Sequence, residues 1–180
     1  MLGIRLGLNF PDLDLSLPFL RHRSFLTHGL LLPVLLFFAL RWCFGWRPRL
    51  QLFLDIPLRL LLIGICVACT VHLCFDLFPR AWYGFALIWV PFYGRATPTF
   101  SWMWLGASCV VCLYLALLLV RHLLEIMLSA LGLGLTFVLE SSKESSFVLA
   151  LGALLLVSTF ALALPSKARG MVQEWAGQRS

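Results

Sequence analysis

Five stretches of this chain run for close to the roughly 20 residues that a helix needs to cross the hydrocarbon of a bilayer. They are Phe25 to Phe44, Pro57 to Phe75, Phe100 to Val120, Leu123 to Leu139 and Phe147 to Leu164. Charges sit at their edges: Arg41 snorkels from the end of the first, Arg59 lies at the start of the second, and Arg121-His122 closes the third. The composition agrees, because 61% of the 180 residues are hydrophobic and only 12% are charged, which leaves too little polar surface to coat a water-soluble fold. The expectation is an all-α, polytopic helical membrane protein with four to five transmembrane helices, forming a single integral-membrane domain over 1–180. Trp82 to Tyr93 is too short to span, is interrupted by Gly84 and Pro91 and is followed by Gly94, so it reads as an interfacial or re-entrant segment. Met1 to Phe10 is apolar but also too short. The first span does not read as a cleaved signal peptide, since a long stretch with Asp12 and Asp14 precedes it.

Against this background, polar groups at span ends carry the information. Three clusters stand out: Pro11-Asp12-Leu13-Asp14, then His22-Arg23 through Thr27-His28, then His72-Leu73-Cys74-Phe75-Asp76. Ionisable groups beside hydrocarbon are costly unless paired, wetted or bound to an ion. Consecutive spans run antiparallel, so the start of the first and the end of the second lie on one side of the membrane. His72 and Asp76 are four apart and share a helix face. All three clusters are therefore expected to converge.

Imidazole nitrogen with carboxylate oxygen suits a divalent metal, zinc first and manganese or iron as alternatives. The expected ligands are His22, His28, His72, Asp76 and Asp12. Asp14 is a ligand, a group orienting a histidine, or the general base, and Arg23 would meet a substrate anion through bidentate hydrogen bonds. Each cluster also has a plainer reading. His72 with Asp76 describes a hydrogen-bonded end of a membrane helix, Pro-Asp-x-Asp a turn or helix start, and His22-Arg23 a membrane-flanking basic pair. Their coincidence on one side favours a site.

The order Pro-Asp-x-Asp, His-Arg-x-x-x-Thr-His, His-x-x-x-Asp and a later Pro-Phe resembles the YdjM-like family of inner-membrane proteins, described as membrane-bound metal-dependent hydrolases. The matching positions are Pro11, Asp12, Asp14, His22, Arg23, Thr27, His28, His72, Asp76, Pro91 and Phe92, within the first half of the chain. The resemblance implies hydrolysis of an ester or phosphoester, a lipid's among the candidates, in the bacterial inner membrane. Two departures stand out. The family opens with a further apolar segment bearing Thr-His ahead of Pro-Asp-x-Asp, whereas Met1 stands ten residues before Pro11, and Gly29 follows His28 where the family commonly has serine.

The remaining signals point to packing. Cys66 and Cys69, and Cys109 and Cys112, form two Cys-x-x-Cys pairs inside apolar runs, where cysteine packs as a small hydrophobe and a thiolate is costly. Trp42, Trp46, Trp82, Trp89, Trp102 and Trp104 read as interfacial belts, and Glu140 to Ser146 as a solvated loop. The group from Arg41 to Arg59 marks its end as cytoplasmic and puts the polar cluster on the other face. A net charge of +6 needs no nucleic acid. The expected partners are membrane lipid and a lipid or phosphoester substrate. The alternatives are a non-catalytic scaffold or assembly factor that keeps the cluster structurally, and a small transporter subunit.

Overall fold

A computed structural model describes residues 1–16, 23–45, 48–78, 87–120, 122–141 and 147–163. A short helix, α1 (Leu2–Asn9), leads into a 3-10 turn, η1 (Pro11–Leu15), and after a looped segment come α2 (Leu31–Gly45) and the long α3 (Pro48–Asp76). A two-stranded hairpin, β1 (Trp89–Val90) and β2 (Gly94–Arg95), precedes α4 (Pro98–Leu119), α5 (Leu123–Ser141) and α6 (Phe147–Ala163). The all-α expectation holds. Among the described residues, three helical stretches are long and apolar enough to cross a bilayer: Ile56–Asp76, Pro98–Leu119 and Leu123–Ser141. α6 is apolar but has only 17 residues.

α3 is the central element. Its apolar stretch is 78% buried within the protein, against 33% for α4 and 28% for α5, so the other helices surround it and leave their outer faces exposed. Leu123, Leu124, Met127, Leu131 and Val138 on α5, and Val148, Leu155 and Leu156 on α6, are exposed. Side chains of this kind are stable outside only where hydrocarbon replaces water. Because lipid tails are as apolar as leucine, helix association here rests on close packing rather than on hydrophobic exclusion. Val71, Leu73, Phe75, Leu105, Cys109, Ala150 and Leu154 make that packed core.

Small residues set the closest approach. Gly3 and Gly7, one turn apart on α1, face the backbone of Leu61 and Ile65 on α3, and a methyl group on Gly7 would stand 2.5 Å from the Ile65 carbonyl oxygen. Gly64 supplies the matching recess on α3. The apolar N-terminal segment thus packs along the central helix, too short to span yet fixed in place.

The first expected span needs correction. Helix begins only at Leu31, so α2 has 15 residues, and the segment from Ser24 to Leu30 is a series of turns. The reason is that its backbone has other partners. The amides of Thr27 and His28 donate to Ser24 O at 3.1 and 2.8 Å, and the Leu30 amide to Ser108 Oγ at 3.2 Å. β1 then ties the segment down, with Trp89 N donating to Arg23 O and Phe25 N to Trp89 O, both at 2.8 Å. α3 also starts earlier than its apolar run and continues through Pro57. Of the segment expected to be interfacial, 82–86 lie outside the described residues and the rest leads into the hairpin and its turn, where Phe92 and Tyr93 are exposed.

Candidate metal centre

The site assembles where η1, the turn segment and the last turns of α3 meet. Pro11 starts η1, because a fixed φ and a missing amide cost nothing in a first turn, and so places Asp12 and Asp14 at its start. Asp14 is buried, and its Oδ2 accepts hydrogen bonds from the Ser24 amide at 2.9 Å and the Thr27 hydroxyl at 3.0 Å. The same oxygen lies 3.1 Å from His28 Nδ1. Burial raises the Asp14 carboxyl, but the imidazole, the amide and the hydroxyl aimed at it hold it well below the usual carboxylate range.

His28 is fully buried and held from a second direction. Trp104 of α4 donates its indole N–H to the His28 carbonyl at 3.0 Å and stacks on Phe25, ring centroids 4.0 Å apart. This arrangement explains Gly29, since any Cβ there would come within 2.6 Å of the Trp104 ring. Trp104, partly buried, is therefore a strut of the site.

On α3, His72 and Asp76 share a face as their spacing requires. His28 Nε2 lies 3.4 Å, and His72 Nε2 3.5 Å, from the same oxygen, Asp76 Oδ2. That oxygen is buried and accepts no hydrogen bond among the described residues. His72 Nε2 also stands 3.8 Å from Asp12 Oδ1, and Asp12, His28 and His72 each offer a ligand atom within 4.8 Å of the other two. Tetrahedral zinc with bonds of about 2.0–2.1 Å sets its ligand atoms roughly 3.3 Å apart. The donor set is of a kind that can hold a metal ion, and the approaches of 3.4, 3.5 and 3.8 Å lie close to that spacing. Asp12, its side chain 39% accessible, is the open edge of the group.

Arg23 closes the remaining side. Its backbone takes φ 61°, a conformation unusual for a residue with a side chain, and its Nε donates to Asp76 Oδ1 at 3.3 Å. The structure thus brings Asp12, Asp14, Arg23, His28, His72 and Asp76 together. His22 lies outside the described residues.

Sequence reasoning missed Glu140. Read as the edge of a solvated loop, it is in fact in the last turn of α5 and 2% exposed, with Oε1 3.9 Å from His72 Nδ1. The signal was an acidic residue ending an apolar run. Glu125, also missed, forms a buried ion pair with Arg59 across α3 and α5. The cysteines pack as expected: Cys66, Cys69, Cys74, Cys109 and Cys112 are buried and free, and Cys69 donates to Gly7 O at 3.3 Å. No family model matches the chain, and neither the curated proteins nor the solved structures contain a match to it.

Proposed function

We propose that the protein is a membrane-embedded, metal-dependent hydrolase that cleaves an ester or phosphoester at one face of the bilayer. The observation that carries this reading is the approach of two imidazole nitrogens, at 3.4 and 3.5 Å, to one buried carboxylate oxygen that accepts no hydrogen bond among the described residues. His28, His72 and Asp76, with Asp12 at the open edge, would hold the ion. Zinc suits this nitrogen and oxygen set best, ahead of manganese and iron. When bound, such an ion polarises the scissile group and brings the pKa of a water towards neutrality.

The other roles fall to the chain's own side chains. Asp12 is the accessible carboxylate of the group, and the oxygen that it does not turn to the ion is placed to take a proton. Arg23 engages Asp76 through Nε, which leaves its terminal nitrogens to receive an anionic oxygen. Asp14 is expected from sequence to be a base, but its Oδ2 already serves three neighbours, so orienting His28 is the better role. The position of the site at the end of a spanning helix favours a lipid ester as substrate. The resemblance to the YdjM-like family supports the same chemistry and a bacterial inner membrane.

The test is metal analysis of detergent-purified protein. Wild type is expected to carry about one divalent ion per chain, the stoichiometry of a single ligand set, and a His28→Ala/His72→Ala variant none. Activity on phosphodiester and carboxylester lipids in mixed micelles is expected to follow the metal. Wild type without stoichiometric metal would end the proposal. A second reading, a non-catalytic scaffold, draws on the Arg23–Asp76 pair, which ties the loop to α3 without an ion. Unchanged thermal stability after chelation would favour it.

A further inference from the structure

Both histidines of the site present the same geometry. Nε2 of each faces Asp76 Oδ2, and Nδ1 of each faces a different buried carboxylate, Asp14 Oδ2 at 3.1 Å for His28 and Glu140 Oε1 at 3.9 Å for His72. The second of these carboxylates comes from α5, far along the chain from the other site residues. Among the described residues His72 Nδ1 is buried without a hydrogen-bond partner, and Glu140 is an acidic group that lies against it.

The placement of Glu140 is built into the helices. α5 runs parallel to α3, with the Arg59–Glu125 ion pair joining the starts of the two spans and His72 meeting Glu140 at their ends. Thirteen residues separate Arg59 from His72, and fifteen separate Glu125 from Glu140. At 1.5 Å per residue these are rises of about 20 and 22 Å, so closing the lower pair brings the upper one into register.

We propose that Glu140 is a positioning residue of the metal centre, accepting the Nδ1 proton of His72 and so turning Nε2 towards the ion, as Asp14 does for His28. The inference rests on the metal-centre reading above and extends the site to a helix outside the stretch from Pro11 to Phe92. A short closure of the 3.9 Å gap on metal binding makes the hydrogen bond. A carboxylate behind a ligating imidazole fixes its tautomer and ring orientation and raises its basicity, and losing such a partner costs about 10- to 100-fold in metal affinity.

The experiment compares full-length wild type, Glu140→Gln and Glu140→Ala in detergent. The measurements are zinc affinity by competition with a chromophoric chelator and the visible absorption of the cobalt(II)-loaded forms. Glu140→Ala is expected to bind zinc about 10- to 100-fold more weakly, with displaced cobalt bands. Glu140→Gln, which keeps an acceptor oxygen but not the charge, is expected to fall between Glu140→Ala and wild type. Thermal unfolding of the metal-free proteins identifies any variant that is simply misfolded, and if Glu140→Ala is lost this way, Glu140→Gln decides alone. Wild-type affinity and an unchanged cobalt spectrum in the folded variants overturn the inference while leaving the metal centre intact. If wild type itself binds neither ion, the metal reading fails and the inference falls with it.

Discussion

A carboxylate buried beside a membrane interface persists only where its neighbours favour the charge, and Asp14 has three such neighbours at 2.9, 3.0 and 3.1 Å. Its folded-state pKa lies below its unfolded value, so the stability it contributes is complete above about pH 4 and drains away as pH falls through the folded value. The Asp14→Asn variant, which keeps the shape and removes the anion, is expected to lose that part of the acid limb in thermal melts recorded against pH. Its zinc affinity is expected to drop by about 10- to 100-fold, because His28 loses the group that aims it. Asn with wild-type affinity would mean that His28 is oriented by the turn backbone and Trp104 alone. Part of this was legible at the residue scale: Asp12, Asp14, His28, His72 and Asp76 stand out as ionisable groups in an apolar chain. Asp14's role was not, since an aspartate that binds an ion and one that orients a ligand have the same sequence.

At the scale of elements, the site depends on a contact that touches none of its ligands. α1 rests on α3 through Gly3 and Gly7 and continues directly into η1, which carries Asp12 and Asp14. Gly7→Leu forces a side chain into the backbone of Ile65 and is expected to cost about 1–3 kcal/mol as overpacking. It should also weaken metal binding, because lifting α1 displaces η1. Parallel measurement of the melting midpoint and zinc affinity tests the coupling, and a loss of stability with unchanged affinity would show η1 to be anchored independently. The Gly-x-x-x-Gly spacing was present in Met1 to Phe10, but shortness alone does not say whether a segment packs, lies at the interface or extends outwards. The turn region from Ser24 to Leu30 carries the opposite lesson. Hydropathy assigned Phe25 onwards to a span, yet hydrogen bonds to Ser108, Trp89 and Asp14 hold that backbone out of a helix.

For the whole molecule, the parallel pairing of α3 and α5 makes one ion pair responsible for a distant geometry. Removing one member of a buried pair leaves an uncompensated charge, so Arg59→Leu is expected to destabilise the protein by about 3–5 kcal/mol. The double variant Arg59→Leu/Glu125→Leu should recover most of that in thermal unfolding, because apolar replacements of both partners strand no charge. A double variant as unstable as the single would assign the effect to packing at Arg59 instead. The sequence by itself determined that the chain is helical and membrane-bound, because runs of about 20 uncharged residues have few other solutions. It also determined that Asp12, His28, His72 and Asp76 share one face, through antiparallel succession and four-residue spacing. Only the tertiary structure decided where α2 begins, that Trp104 is a strut, and that Glu125 and Glu140 belong to α3's partners. Hydropathy and periodicity are properties of one segment at a time. The lateral order of helices and their register are set by close packing and by charges that must find partners, and these depend on residues far apart in the chain.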